Sequence, residues 1–192
     1  MEHLAHLRHL IASLDEALVD SLCTRAQRRR NESLYALPDE PAPDPQALAG
    51  SFADAPSLAG RAHLLRSAYL RAMLPVLCDP GSDTGQPACL SADGACLDAL
   101  ARRLALSVHV ATRKREALPE ALQAALRTGN PARVEQAITH PGVEAEVVAR
   151  AAARAAARAP GSDIPARVAR LYAEWIIPLS RKIQVHGLLA AP

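Results

Sequence analysis

Apolar residues recur at helical spacing through the first part of the chain. Leucine occupies positions 4, 7, 10, 14, 18 and 22, in steps of three and four residues. This period puts the leucines on one face and predicts an amphipathic helix from about Glu2 to Tyr35. No stretch alternates like a strand, and no internal repeat is evident. The pattern predicts an all-α fold, a bundle of long and short helices.

Proline and glycine mark the boundaries of the remaining elements. Further helices are predicted over about 57–78, 96–116, 118–128, from the Asn130-Pro131 start signal, over 141–159 and from about 165 to 189. Pro75 and Pro178 fall inside two of them and should bend them. The segments of about 37–56 and 79–94 are predicted as loops. Together these elements form one domain that spans residues 1–192.

Composition narrows the class of protein. The chain has 192 residues, of which 49% are hydrophobic and 22% charged, enough to build a sizeable core. Aromatic residues make up only 3%, so the core must consist of closely packed Ala- and Leu-rich helices. A net charge of +2 is low for a nucleic-acid binder, and no apolar run reaches the ~18 residues of a membrane span. The N-terminal residues lack an apolar signal core, and we expect a cytoplasmic protein with its four cysteines reduced.

Two cations on the third long helix are the first candidate for chemistry. The chain has twenty arginines but only two lysines, so Lys114 carries more information than any single arginine. Arg103 and Lys114 are eleven residues apart, which returns them to within ~20° of one face and separates them by ~16 Å along the axis. Their long side chains could converge on one small anion. The alternative is a pair of solvated surface charges.

Two polar pairs lie four residues apart and so project in the same direction. His140 and Glu144 begin one helix, where an acid also favours the helix dipole without any further role. Ser180 and Gln184 follow Pro178 in an otherwise apolar stretch, where a buried hydroxyl and amide need partners. A solvated polar stripe is the alternative for the second pair.

Other features of the sequence give weaker signals. Arg8 and Arg25 lie on the first helix, and Arg25 is on its apolar face, where snorkelling to the surface is the simple interpretation. The cysteine spacings do not match a zinc site. The sequence has no Gly-rich phosphate loop and no nucleophile elbow. We therefore expect no metal, no cofactor and no covalent nucleophile.

Several short motifs follow one another along the chain. They are Leu7-Arg8 with Asp15 seven residues on, Arg102-Arg103-Leu104 with Lys114 eleven residues after Arg103, Val143-Glu144, and Trp175-Ile176-Ile177-Pro178-Leu179-Ser180 followed by Gln184 and Leu188-Leu189. Taken in order, these motifs resemble the all-helical chorismate mutases of the AroQ class. The closing helix and the Gly50-Ser51-Phe52 segment look like the fungal and plant branch.

The resemblance implies the rearrangement of chorismate to prephenate, an intramolecular Claisen step. Such a reaction needs positioning of the substrate and preorganised stabilisation of charge on the ether oxygen. The roles implied for this chain are these: Arg8 and Arg103 clamp two carboxylates, Lys114 and Gln184 donate to the ether oxygen, Glu144 accepts from the ring hydroxyl beside the His140 backbone, and Ser180 binds a carboxylate.

Two positions depart from the family pattern. His140 stands where members commonly have Asn or Asp. Gln184 stands where the fungal branch commonly has Glu, which must be protonated to donate, whereas an amide donates at any ordinary pH. We therefore expect an activity that is flat around neutral pH.

The resemblance also implies an assembly and leaves alternatives open. One chain carries every matching residue, so we expect one active site per chain in a homodimer, with Arg25 as a relic of a second, degenerate site. The loop before Cys96 lacks the Gly-Ser pattern expected of effector-regulated members, so we expect no effector response. The alternatives are an isochorismate pyruvate-lyase on the same bundle and a non-catalytic helical protein that binds a small acid or a partner.

Overall fold

A computed structural model describes residues 2–35, 41–53 and 58–190, apart from the side chains of residues 2–5, 8 and 58–60. Every regular element in these ranges is helical, which confirms the all-α class. The helices are α1 Glu2–Ala26, α2 Pro45–Ala53, α3 Leu58–Ala68, α4 Leu74–Leu77, α5 Gln86–Ala117, α6 Glu120–Arg127, α7 Pro131–Ile138, α8 Pro141–Arg158, α9 Ile164–Leu171 and α10 Ile177–Ala190. None of the described helices combines the length and the apolar character needed to cross a bilayer.

The long helix α5 is the centre of the bundle. It packs along α1 on one side and α10 on another, while α8 covers α1 and joins α9. Asp15 of α1 meets Arg103 of α5, and Arg25 of α1 meets Asp93 of α5, so the two helices run antiparallel. Small buried residues of α5, such as Ala99, allow neighbouring helices to pack closely in a core that has few aromatic rings.

Two prolines produce the same local feature in two long helical segments. A π turn, Tyr69–Met73, joins α3 to α4, and a second, Tyr172–Ile176, joins α9 to α10. Pro75 and Pro178 each follow two residues after their π turn. Because proline has no N–H and its ring crowds the carbonyl four residues back, a wider turn relieves the conflict without ending the helix. Each π turn begins with a buried tyrosine.

The structure corrects both predicted loops. Helix α2 lies inside the segment of about 37–56, where Asp44 caps its first turn by accepting from the Gln46 N–H at 3.1 Å. Helix α5 begins at Gln86 inside the segment of about 79–94, with proline in its first turn. Cys89 and Asp93 are buried there, and this burial outweighs the helix-weakening Gly94.

The predicted extent of the first helix is also wrong at its end. Helix α1 stops at Ala26, and the chain turns back through Asn31, which adopts a left-handed backbone with φ of 53°. Asparagine tolerates this conformation better than most residues do. A short 3-10 turn, Glu32–Leu34, completes the segment and brings Tyr35 under the end of α1.

Helices α6 and α7 form a hairpin with its own small core. Its apolar residues pack against the C-terminal ends of α5 and α10 as a cluster separate from the main core. Helix α5 ends at Ala117, the next residue Leu118 has a left-handed backbone with φ of 31°, and Pro119 directs the chain into α6. The hairpin thereby forms one wall of a cavity at this end of the bundle.

Candidate active site

A cavity of about 400 Å³ opens between the N-terminal part of α1, the second half of α5, the start of α8 and α10. Its size lies within the range of small-molecule sites. Its walls are mostly apolar, with charged and polar groups at a few points. The lining residues are Leu7, Ile11, Arg103, Val110, Arg113, Lys114, Ala117, Pro119, Ile138, His140, Val143, Glu144, Val147, Ile177, Ser180, Arg181 and Gln184.

The structure brings together six of the seven residues that the sequence analysis named for the site. They come from three helices and from the residue before α8, and they all line this cavity: Arg103, Lys114, His140, Glu144, Ser180 and Gln184. The side chain of the seventh, Arg8, lies outside the described residues. Its neighbour Leu7 lines the cavity, so α1 passes the site at this position.

Arg103 lies buried at one end of the cavity. Its Nε donates to Asp15 Oδ1 at 2.7 Å, and Tyr172 donates to the same oxygen at 3.1 Å. Asp15 is the one hydrogen-bond partner that Arg103 has among the described residues, and it uses the Nε edge of the guanidinium. The two terminal nitrogens remain for an anion, and a planar fork of this kind suits a carboxylate.

Lys114 lies at the opposite end, three turns along α5. Its Nζ donates to the carbonyl oxygen of Ile138 at 3.1 Å, at the C-terminal end of α7. Burial lowers the pKa of Lys114, and the Coulombic attraction of Glu144 opposes that shift. No carboxylate in the described part of the chain forms an ion pair with Lys114, so it can offer its charge to a ligand.

Glu144 is oriented by a residue that the sequence analysis did not name. Nη1 of Arg181 donates to both carboxylate oxygens of Glu144, at 3.0 and 3.2 Å. Arg181 also lies 3.4 Å from Glu135 of α7. The His140 side chain is exposed, and its carbonyl accepts the Glu144 N–H at 3.0 Å. Glu144 is therefore held as an acceptor at the mouth of the cavity, and its position in the first turn of α8 is not only a capping feature.

Ser180 and Gln184 are both more than nine-tenths buried, not part of a solvated stripe. Gln184 Nε2 donates to the Ser180 carbonyl at 3.2 Å and approaches its hydroxyl at 3.4 Å. Reversing the amide would place two carbonyl oxygens together, so this orientation is fixed. Gln184 Oε1 is buried without a partner in the described structure, and one N–H of Nε2 remains for a ligand.

Several site residues were missed at the sequence level. Arg181 and Arg113 could not be distinguished from the other arginines in a sequence that has twenty of them. The missed signal for Arg181 is its place in the apolar closing helix, one residue after Ser180. Asp15 appeared only within the opening motif, and the buried Ser107 was not considered. The position of Ser107, one turn after Arg103 on the same helix face, could have indicated that it belongs to the site.

Arg25 requires a correction, because it does not snorkel to the surface. It is 0% exposed, and its Nε donates to Asp93 at 2.7 Å. Its terminal nitrogens donate to the carbonyl oxygens of residues 28, 29 and 30 and to Tyr35. The protein itself therefore occupies every edge of this guanidinium and leaves it nothing to offer a ligand.

The cavity can hold a small organic anion but shows no cluster suited to a metal. No group of three His, Cys, Asp or Glu side chains among the described residues could ligate an ion. Its charged groups include an arginine fork at one end, a lysine at the other and a glutamate at the mouth, with Arg113 and Arg181 also in the lining. This arrangement matches a ligand with carboxylates, an internal acceptor and a hydroxyl.

The fold and the cavity define an all-helical bundle with a cavity suited to a small anion, and comparison with known proteins shows what this bundle is similar to. A family model described as "Chorismate mutase type II" matches residues 91–185. A chloroplastic chorismate mutase 1 of Petunia hybrida is 29% identical over 135 residues, covering 63% of this chain and 42% of the relative. Chorismate mutase 2 of Arabidopsis thaliana is 28% identical over 138 residues, covering 63% and 51%.

Solved structures show the same fold over nearly the whole chain. The maize chloroplast chorismate mutase superposes with a TM-score of 0.77 at 22% identity, covering 97% of this chain and 95% of the other. The Candida albicans enzyme gives a TM-score of 0.75 at 19% identity, covering 97% and 90%. The family model, the curated relatives and the solved structures all indicate similarity to the chorismate mutases of plants and fungi, as the resemblance in the sequence implied. The chain spans about half the length of the curated relatives it matches.

Proposed function

We propose that this protein is a chorismate mutase that converts chorismate to prephenate in the synthesis of phenylalanine and tyrosine. The observation that carries the proposal is the convergence of Arg103, Lys114 and Gln184 in one cavity, with Ser180 and Glu144 between and beside them. These groups match the two carboxylates, the ether oxygen and the ring hydroxyl of the substrate.

The reaction would proceed by positioning and electrostatics. Arg103, held by Asp15, would bind one carboxylate with its free terminal nitrogens, and Arg8 would bind the other. This clamp would hold the enolpyruvyl arm over the ring in a compact chair, which removes much of the entropic part of the barrier. Glu144 would accept from the ring hydroxyl and fix the ring in the cavity.

Charge stabilisation at the ether oxygen would come from Lys114 and Gln184. As the C–O bond breaks, negative charge develops on this oxygen. Lys114 would turn from the Ile138 carbonyl towards it, and the second N–H of Gln184 Nε2 would also donate. Donors placed in advance in a partly buried site stabilise the transition state more than water does.

The test is to mix the purified protein with chorismate at neutral pH, follow the loss of chorismate and identify the product. Prephenate formation that falls by about 10³-fold in Lys114→Ala supports the proposal. The matched control is Lys182→Ala, which removes the other lysine of the chain, outside the cavity. No turnover by the wild type contradicts the proposal, and pyruvate release from isochorismate indicates the lyase instead.

The role of Gln184 has its own test in the pH profile. The amide donates at any ordinary pH, so wild-type activity should be flat around neutrality. Gln184→Glu should make activity rise as the pH falls, because only the protonated acid donates to the ether oxygen. An unchanged profile in this variant would sink the assignment of Gln184.

The assembly and the location of the protein are also proposals. The family resemblance supports a homodimer with one site per chain, and we propose a cytoplasmic location. Sedimentation at micromolar concentration tests the first proposal, and fractionation of the native cell tests the second. A monomer, or recovery in an organelle, would contradict them.

We propose in addition that the activity does not respond to aromatic amino acids. Solved relatives carry L-Trp, or tyrosine in an allosteric site. The support here is the absence of the expected Gly-Ser pattern before Cys96, in a segment that is helical in this protein. Assays with millimolar Trp, Tyr and Phe should leave the rate unchanged, and a change of twofold or more would overturn the proposal.

A further inference from the structure

The hydroxyl of Ser107 is buried behind the cavity wall, at a position on α5 between Arg103 and Lys114. Ser107 is on α5, one turn after Arg103 and two turns before Lys114, and it is 0% exposed. Its Oγ lies 2.8 Å from the Oγ of Ser180, which lines the cavity. The roles described above use Ser180 but do not use Ser107.

The direction of this hydrogen bond follows from the surroundings of Ser107. A fully buried hydroxyl must donate its hydrogen, because leaving it unpaired is costly. Many helical hydroxyls donate to the carbonyl four residues back, as Thr112 does to Val108. Ser107 makes no such bond, and its hydrogen-bond partner among the described residues is Ser180 Oγ. Ser107 is therefore the donor and Ser180 the acceptor.

Ser180 Oγ also faces a second group that can only donate. Gln184 Nε2 lies 3.4 Å from it, and an amide nitrogen has no lone pair to accept with. A hydroxyl oxygen has two lone pairs. Ser107 occupies one, and the N–H of Gln184 that donates to the Ser180 carbonyl is shared with the other, so the second N–H of Gln184 stays available to a ligand. The hydrogen of Ser180 then has nowhere to go within the wall and is left to point into the cavity.

We propose that Ser107 is a positioning residue that makes the Ser180 hydroxyl a fixed donor for a substrate carboxylate. This inference rests on the proposed function and adds to it the reason why Ser180 favours an anion. Without Ser107, one lone pair of Ser180 loses its donor, so the hydroxyl is free to rotate and is no longer held with its hydrogen towards the carboxylate. A preset donor has no such alternative and needs no reorganisation when the ligand binds.

The test is a double-mutant cycle of Ser107→Ala, Ser180→Ala and the pair. Prephenate binding is measured by calorimetry, and KM and kcat are measured with chorismate. Ser107→Ala should raise Kd and KM by about 5- to 10-fold with little change in kcat, since one hydrogen bond to a charged group is weakened in ground and transition states alike. In the Ser180→Ala background the same change should have no further effect, because Ser107 acts only through Ser180.

Two controls separate positioning from a general packing effect. Thr112→Ala removes a hydroxyl from the exposed side of the same helix and should leave Kd unchanged. Ser107→Cys keeps the size of the side chain but donates weakly, so it should fall between wild type and Ser107→Ala; it also replaces Ser107→Ala in the cycle if that variant does not fold.

The outcomes separate the role of Ser107 from the proposed mutase activity. Additive effects in the cycle, or an unchanged Kd in Ser107→Ala with an active wild type, overturn the role of Ser107 and leave the proposed function standing. A wild type that binds prephenate but does not convert chorismate fails as a mutase, while the cycle on Kd still tests Ser107. A wild type that neither binds prephenate nor converts chorismate overturns both.

Discussion

Helices α1 and α5 carry the same ion pair twice. Arg103 pairs with Asp15, and Arg25 pairs with Asp93, each through Nε at 2.7 Å. The arginines are ten residues from the aspartate on their own helix, so the pairs are related by the antiparallel packing. A tyrosine from the start of a π turn donates to each aspartate, Tyr172 in the first pair and Tyr69 in the second.

The two arginines differ in how many of their guanidinium N–H groups donate to other groups of the protein. Around Arg25, Tyr35 and three backbone carbonyls take the terminal nitrogens, and no free edge remains. Around Arg103, the chain supplies Asp15 alone, and the terminal nitrogens lie at a cavity. The same chemical pair therefore builds a structural support in one place and a binding group in the other, depending on whether the loops close over it.

The largest effect on activity is expected from Arg103→Met. This change removes the carboxylate fork, and we expect kcat/KM for chorismate to fall by about 10³-fold or more. Stability should fall less than in the matching Arg25 variant, since Arg103 donates to Asp15 alone, whereas Arg25 also donates to three backbone carbonyls. Steady-state kinetics with urea unfolding of the same samples checks both parts. Near wild-type activity would remove Arg103 from the site.

The largest effect on stability is expected from Arg25→Met, the matched variant in the Arg25–Asp93 pair. It leaves the buried Asp93 without its cation, with only tyrosine hydroxyls as donors, and it removes the donor from three backbone carbonyls, so the free energy of unfolding should fall by about 3–5 kcal/mol. Activity per folded molecule should stay within about threefold of wild type. A stable variant with lost activity would reverse the assignment of the two pairs.

Smaller effects on activity and stability are expected when the two aspartates of these pairs are replaced. In Asp15→Asn, the amide oxygen still accepts from Arg103, but the guanidinium is held less firmly, and we expect about a tenfold loss of kcat/KM. Asp93→Asn should instead cost about 1–3 kcal/mol of stability without a comparable loss of activity. Kinetics and urea unfolding of the two variants side by side decide the matter, and equal activity losses would contradict the distinction.

The pH dependence of stability should differ in sign between the two regions. Around the Arg25–Asp93 pair, burial and then the hydrogen bond to Asp93 raise the pKa of Tyr35 to about 12. Burial also raises the pKa of Cys78 to about 11 and the pKa of Cys96 to about 12. These groups hold their protons more tightly when folded. Their stabilisation is full below the unfolded pKa values of about 9–10 and is lost as the pH rises through 11–12.

Tyr35→Phe tests this alkaline transition. The slope of unfolding free energy against pH between 10 and 12 should become shallower by up to about 1.4 kcal/mol per pH unit, the contribution of one proton. Urea unfolding at stepped pH measures it. An unchanged slope would show that Tyr35 does not contribute.

The smallest effect is expected at Lys114, with the opposite sign. Burial lowers its pKa in the folded protein, so the folded state binds fewer protons than the unfolded state as the pH approaches the ordinary lysine value of 10.5. This effect makes wild-type stability rise with pH, and Lys114→Met should remove that rise. Comparison of the two proteins at pH 7 and 9.5 checks it; parallel pH dependences would mean that Lys114 is not desolvated.

Sequence determined the class of fold and most of the chemistry of the site. Leucine spacing gave the helices, because burial of one face is the main source of helix stability in a protein. Spacing along single helices placed Arg103 with Lys114 and Ser180 with Gln184 on shared faces, since helix geometry alone fixes those relations. The family resemblance then joined these pairs into one site, which no single spacing could have done.

Tertiary structure decided what each polar group touches. Helix α2 and the start of α5 form in segments rich in Pro and Gly, because burial against other helices outweighs weak local propensity. Contacts such as Arg181 with Glu144 and Ser107 with Ser180 join residues 37 and 73 positions apart, beyond the reach of any local pattern. Arg25 and Arg103 look alike in the sequence, and only the path of the chain around each guanidinium makes one a support and the other a binding group.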